Sequence, residues 1–172
     1  MTPRELEEYR ALRATIRERG TSRLWVFVAG LGMWAALAVT TAALATLPVA
    51  TLVPLVFLAA TFEAVLALHV GVERVGRYIQ VFFEEGAGWE HAAMAFGPSS
   101  PRVDPLFSGL FVAATLLNFI PALLASPLQP IEWIVLGASH LGFITRVLAA
   151  RHQAGGQRAR DLARFQQIKS GA

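Results

Sequence analysis

Long apolar stretches alternate with short polar ones along this chain, and the apolar stretches set the frame for everything else. Residues 24–46, 52–71, 106–125 and 131–150 are each mostly apolar. A helix needs roughly 20 such residues to cross a hydrocarbon layer about 30 Å thick. Each stretch therefore predicts a transmembrane helix. Strands of a β-barrel would alternate apolar and polar side chains, and runs such as Leu116-Leu117-Asn118-Phe119-Ile120 do not. The pattern predicts an all-α integral membrane protein folded as a four-transmembrane-helix bundle over residues 24–150.

Between and beyond these stretches the periodicity turns amphipathic. Thr2-Pro3-Arg4-Glu5 is a helix-start signature, and Leu6, Tyr9, Leu12 and Ile16 follow at helical spacing. With Gly20 as a stop, residues 1–22 read as a short amphipathic cytoplasmic helix. The second span runs on past its apolar part. Val72, Val75, Ile79 and Phe82 continue one face, while Glu73, Arg77, Gln80 and Glu84 line another. This predicts a cytoplasmic extension of the second helix, whose apolar stripe needs a cover from the terminal helices or from another protein. Glycine, serine and proline mark residues 86–105 as a loop, with room for a short helix around Trp89 to Phe96. After Gly155-Gly156, expected to break the chain, Leu162, Phe165 and Ile168 recur among Arg158, Arg160, Arg164 and Lys169. Residues 151–172 thus read as a basic amphipathic cytoplasmic tail. Both terminal helices suit the inner leaflet, where apolar area and anionic lipid attract such segments, or suit packing on each other or on the central loop.

Charge gives the orientation. The chain has 15 Lys and Arg residues. They fall before the first span, between the second and third, and from Arg146 onward, whereas the connections 47–51 and 126–130 carry none. The positive-inside rule then places both termini and the central loop in the cytoplasm, in the inner membrane if the source is bacterial. Pro48, Pro54, Pro127 and Pro130 sit at expected helix ends, where proline is tolerated; Pro121 falls inside the third span and is expected to bend or fray its last turn.

Composition agrees with the membrane reading, with 55% hydrophobic and 16% charged residues against about a quarter charged in soluble domains. The net charge of +3 matches topology and anionic lipid and carries no nucleic-acid recognition motif. The absence of cysteine excludes disulfides and thiolate chemistry. Glu84, Glu85, Glu90 and His91 are ligand-type residues, but their spacing matches no metal site. No catalytic residue and no cofactor are implied.

Ionisable groups inside a bilayer are costly and need partners. Glu63, Asn118, His140 and Arg146 form a candidate intramembrane polar seam, with His69 and Glu73 as a tier nearer the cytoplasm. Glu63 shares its helix side with Ala60 and Ala67, and Arg146 with Ala138 and Gly142, so both are expected inside the bundle on small-residue stripes. Gly32, Ala36 and Thr40 give the first span a stripe of its own. Glu63 is expected to be buried and paired with His140 or Arg146. The seam reads as register-fixing ion pairing, or as a proton path through Glu63 and His140. Haem ligation by His69 and His140 is disfavoured because several helical turns separate them in depth.

Short outer connections and the lack of a paired Gly or Pro interruption near the middle of any span leave little room for an enclosed substrate site. The expected function is that of an accessory or structural subunit of a larger membrane assembly, in contact with lipid and with a protein partner or further copies of itself. The alternative is a small proton- or ion-coupled transporter or channel using the buried Glu/His/Arg seam.

Overall fold

The computed structural model describes residues 1–44, 47–84, 86, 88–96, 105–124 and 128–171. Among these the chain is all-helical: α1 (Pro3–Leu44), a 3-10 turn (Pro48–Thr51), α2 (Leu52–Phe82), α3 (Trp89–Phe96), α4 (Pro105–Leu124) and α5 (Pro130–Ser170). Four helices are long and apolar enough to cross a membrane: α1, α2 with its preceding turn, α4 and α5.

Helix starts follow local chemistry. The Thr2 backbone N–H donates to Glu5 Oε2 at 2.6 Å and the Glu5 N–H to Thr2 Oγ1 at 3.3 Å, which closes the expected capping box. Pro48 and Pro130 open their helical segments, where a missing N–H costs nothing. Glu132 accepts the Gln129 N–H at 2.8 Å and caps α5.

Two sequence expectations are corrected here. The terminal amphipathic helices are the ends of α1 and α5, because α1 runs through Gly20 and α5 through Gly155-Gly156. An interior glycine costs a helix only about 1 kcal/mol, and the Arg, Glu, Gln and Ala around these positions sustain it. Pro121 lies within α4, which continues to Leu124. Thr46, Glu85, Ala125, Pro127 and residues 97–104, including Arg102, lie outside the described residues.

The chain forms two compact units. The first comprises Trp25–Val65 and Val103–Arg151. Its core is a cluster of rings drawn from four helices, Phe27, Phe62, Phe107, Phe111 and Phe143, with Phe62 edge-on to Phe111 at 5.1 Å and to Phe143 at 5.8 Å. Phe27 stands 5.4 Å from Phe107. Leu58, Phe62, Phe111 and Leu136 are fully buried. Helix α1 approaches α2 at Gly30, where an added Cβ would run into the Thr61 side chain. The small stripe that makes contact is therefore the one through Gly30, whereas Gly32, Ala36 and Thr40 are exposed. Both stripes have helical spacing, and spacing alone does not choose between them.

The second unit comprises Met1–Leu24, Leu66–Arg102 and His152–Ala172. Here the apolar stripe of α2 is covered by the chain's own ends. Ile79 is fully buried. Tyr9 of α1 packs on Phe83 at 5.9 Å, and Phe165 of α5 packs edge-on against Tyr78 at 5.6 Å. Lys169 Nζ donates to the Val81 carbonyl at 2.6 Å, and the Tyr78 hydroxyl to Glu8 at 3.0 Å. Gly86, at φ 75°, turns the chain toward α3 in the left-handed region that favours glycine.

Candidate functional site

The six candidate residues separate into three groups. Asn118 and His140 are buried in the first unit, at 2% and 4% exposure. His140 Nδ1 lies 2.8 Å from the Leu136 carbonyl, so it carries the hydrogen and donates. Nε2 is then a lone pair, and it accepts from Asn118 Nδ2 at 3.0 Å. The other Asn118 amide hydrogen goes to the Thr51 carbonyl at 2.9 Å, and its Oδ1 accepts the Trp34 indole N–H at 3.3 Å. The amide thus ties α1, the 3-10 turn, α4 and α5 together with every polar atom used. An amide has no proton to pass on, and a relay through His140 would have to break this bond first.

Glu63 and Arg146 bond to each other at 2.8 Å, Arg146 Nε and Nη2 reaching the two carboxylate oxygens as a fork. The guanidinium also lies 5.8 Å from the ring of Phe62. The expectation that this pair is interior is corrected: the side chains are 48% and 38% exposed, and Ala60, Ala138 and Gly142 beside them are exposed as well. Phe62, one residue away on α2, turns inward in place of Glu63, because the aromatic cluster claims the inner face. His140 does not pair with Glu63, since the Asn118 amide occupies its Nε2.

His69 and Glu73 belong to the second unit. Arg23 donates to His69 Nδ1 at 2.8 Å. Glu73 holds Arg158 through two contacts at 2.8 and 3.2 Å and has Arg77 at 3.6 Å. Arg77, itself buried, donates to Gln80 at 2.8 Å, and Arg74 donates to Asp161 at 3.3 Å. A cavity of about 10 Å³ lies among His69, Glu73, Arg77, Gln157 and Arg158, the room of a single water. His69 Nε2 and Arg77 Nε have no hydrogen-bond partner among the described residues. A water there would satisfy donors that a larger ligand has no space to reach.

A further cluster joins Glu84, Glu90 and His91, which the sequence groups as ligand-type residues, to Arg13, which it does not connect with them. Glu84 accepts the backbone N–H groups of Glu90, at 2.9 Å, and His91, at 3.3 Å, and so caps the first turn of α3. His91 Nδ1 is 3.2 Å from the same carboxylate, and Arg13 bridges from α1 to Glu90 at 2.7 Å and to Glu84 at 3.6 Å. An added Cβ at Gly88 would strike the Glu84 carboxylate. Burial pushes the Glu84 carboxyl up, but the α3 N–H groups, His91 and Arg13 together outweigh it and hold the group below its ordinary value. Glu84, Glu90 and His91 are thus spent on capping and ion pairing. What this anchoring presents is apolar: Trp89 is 70% and Phe96 94% exposed, with Met94 also exposed. Arg13 lies far from α3 in sequence, and no spacing rule could have joined them.

Comparison with known proteins adds no relative: no family model, curated protein or solved structure matches the chain.

Proposed function

We propose that the chain is a four-span membrane protein with both termini in the cytoplasm, and that it serves as an accessory or structural subunit docking to a larger membrane assembly. The observation that carries this reading is α3. A helix of eight residues is too short to hold itself, yet this one is fixed by Glu84 and Arg13 while Trp89, Met94 and Phe96 point outward. Large aromatic and Met side chains on a rigid support are the composition of an interface core. The one-sided basic residues put that helix on the cytoplasmic side.

The rival reading, a small transporter or channel built on Glu63, has less support. Its carboxylate is engaged by Arg146 on an exposed face, and the buried His140 is engaged by an amide. Gentle solubilisation from the native membrane tests the choice. A partner should co-migrate with the wild-type chain and be lost with Trp89→Ser and Phe96→Ser combined, the helix content staying unchanged. Recovery of the chain alone, with ion flux in liposomes that Glu63→Gln abolishes, would overturn it.

A further inference from the structure

The face that carries Glu63 and Arg146 is unusual for a helix surface turned toward lipid. Within the first unit, α2 exposes Val53, Val56, Ala60, Glu63 and Ala64, and α5 exposes Ile134, Ala138, Leu141, Gly142 and Thr145. Around the ion pair the exposed side chains are apolar or small, the Thr145 hydroxyl being used on the Leu141 carbonyl, so among the described residues no other polar group completes the pair from outside. Both residues lie about 23 Å along their helices from the opening prolines, Pro48 and Pro130, at 1.5 Å per residue. In a hydrocarbon layer about 30 Å thick, that is within the core and at matching depth.

We infer that this face is the interface between two copies of the chain, related by a twofold axis along the membrane normal. The face is complementary in charge to a second copy of itself. Glu63 on α2 and Arg146 on α5 sit side by side at one depth, 2.8 Å apart. A twofold axis beside the pair brings α2 of each copy opposite α5 of the other, which sets Glu63 against the second copy's arginine and Arg146 against its glutamate. The face is its own complement, as an isologous contact requires. Four charges of alternating sign would then close on each other away from lipid. Ala60, Ala138 and Gly142 around them leave the two backbones free to approach. A face with one net charge would repel its own copy; this one does not. The inference rests on the reading that α2 and α5 lie in a bilayer.

The experiment uses native-like membranes and two differently tagged copies of the full chain, which contains no cysteine of its own. With Ala60→Cys in one copy and Gly142→Cys in the other, oxidation should yield a disulfide joining the two tags. Charge reversal then separates pairing between copies from pairing within one. Glu63→Arg alone and Arg146→Glu alone should each lower the cross-linked fraction at least tenfold. Co-expressing the two reversed chains should restore it, because each glutamate then again meets an arginine across the axis. Rescue that needs both reversals in the same chain would overturn the proposal, as would no disulfide between otherwise wild-type copies, the arm that decides if the reversed chains fail to fold. A different protein trapped by the Gly142→Cys copy would overturn it too. The bilayer reading is checked separately: before solubilisation neither cysteine should react with an impermeant maleimide, and brisk labelling would sink that reading rather than the dimer alone.

Discussion

At Asn118 one amide satisfies three groups from different parts of the chain, so its loss should be felt more than that of an exposed polar residue. Asn118→Leu would leave the Trp34 N–H and the Thr51 carbonyl without partners and the His140 lone pair empty. Each unsatisfied buried group costs about 1–3 kcal/mol, so a clear fall in thermal midpoint in detergent is expected, larger than for Glu63→Gln on the exposed face. Equal effects would contradict the assignment. Glu84 makes a pH prediction. Its folded-state pKa is lowered, so its contribution is present above the unfolded value, about 4.3 for Glu, and is lost as pH falls through the folded value. Amide protection in α3, taken relative to the intrinsic exchange rate at each pH, should therefore hold from neutral pH to about 4.3 and fall below it, and Glu84→Gln should leave it low throughout. The depth match of Asn118 with His140 is legible in the sequence, because helix rise fixes depth from numbering alone. The side each residue faces is less legible. Glu63 and Phe62 are neighbours in sequence, a quarter-turn or so apart around α2, one exposed and one buried, and in a helix whose inner and outer faces are both apolar the pattern does not say which side is in.

Among the elements, helix type and approximate extent could be read from the apolar periodicity, and the Thr2–Glu5 box and Pro130 mark their ends as sequence rules require. Continuity could not. Gly20 and Gly155-Gly156 look like stops, yet α1 and α5 run on through them, sustained by the helix-forming residues on either side. Space around Gly20 is open and Gly156 has no nearer atom than the Arg160 guanidinium at 4.0 Å. Gly20→Ala and Gly156→Ala should then each stabilise the chain, by up to about 1 kcal/mol from helix propensity, and a lowered thermal midpoint would show that these positions serve as hinges. The opposite outcome is expected at Gly30. A side chain there must displace Thr61, so Gly30→Leu should destabilise strongly, while Gly32→Leu on the exposed side of α1 should be tolerated.

For the whole molecule, the central claim is that one side of the chain, with both termini and α3, faces the cytoplasm, and that the two short connections face outward. It rests on the segregation of 15 basic residues away from residues 47–51 and 126–130. Every depth used for the Glu63–Arg146 face, and the cytoplasmic placement of Trp89 and Phe96, follows from it. Because the chain has no native cysteine, single cysteines can report sidedness directly. In intact cells, a membrane-impermeant thiol reagent should label Ala50→Cys and Gln129→Cys and leave Ser99→Cys and Thr2→Cys unlabelled until the membrane is opened; labelling of Ser99→Cys or Thr2→Cys from outside, with Ala50→Cys and Gln129→Cys protected, would contradict the account.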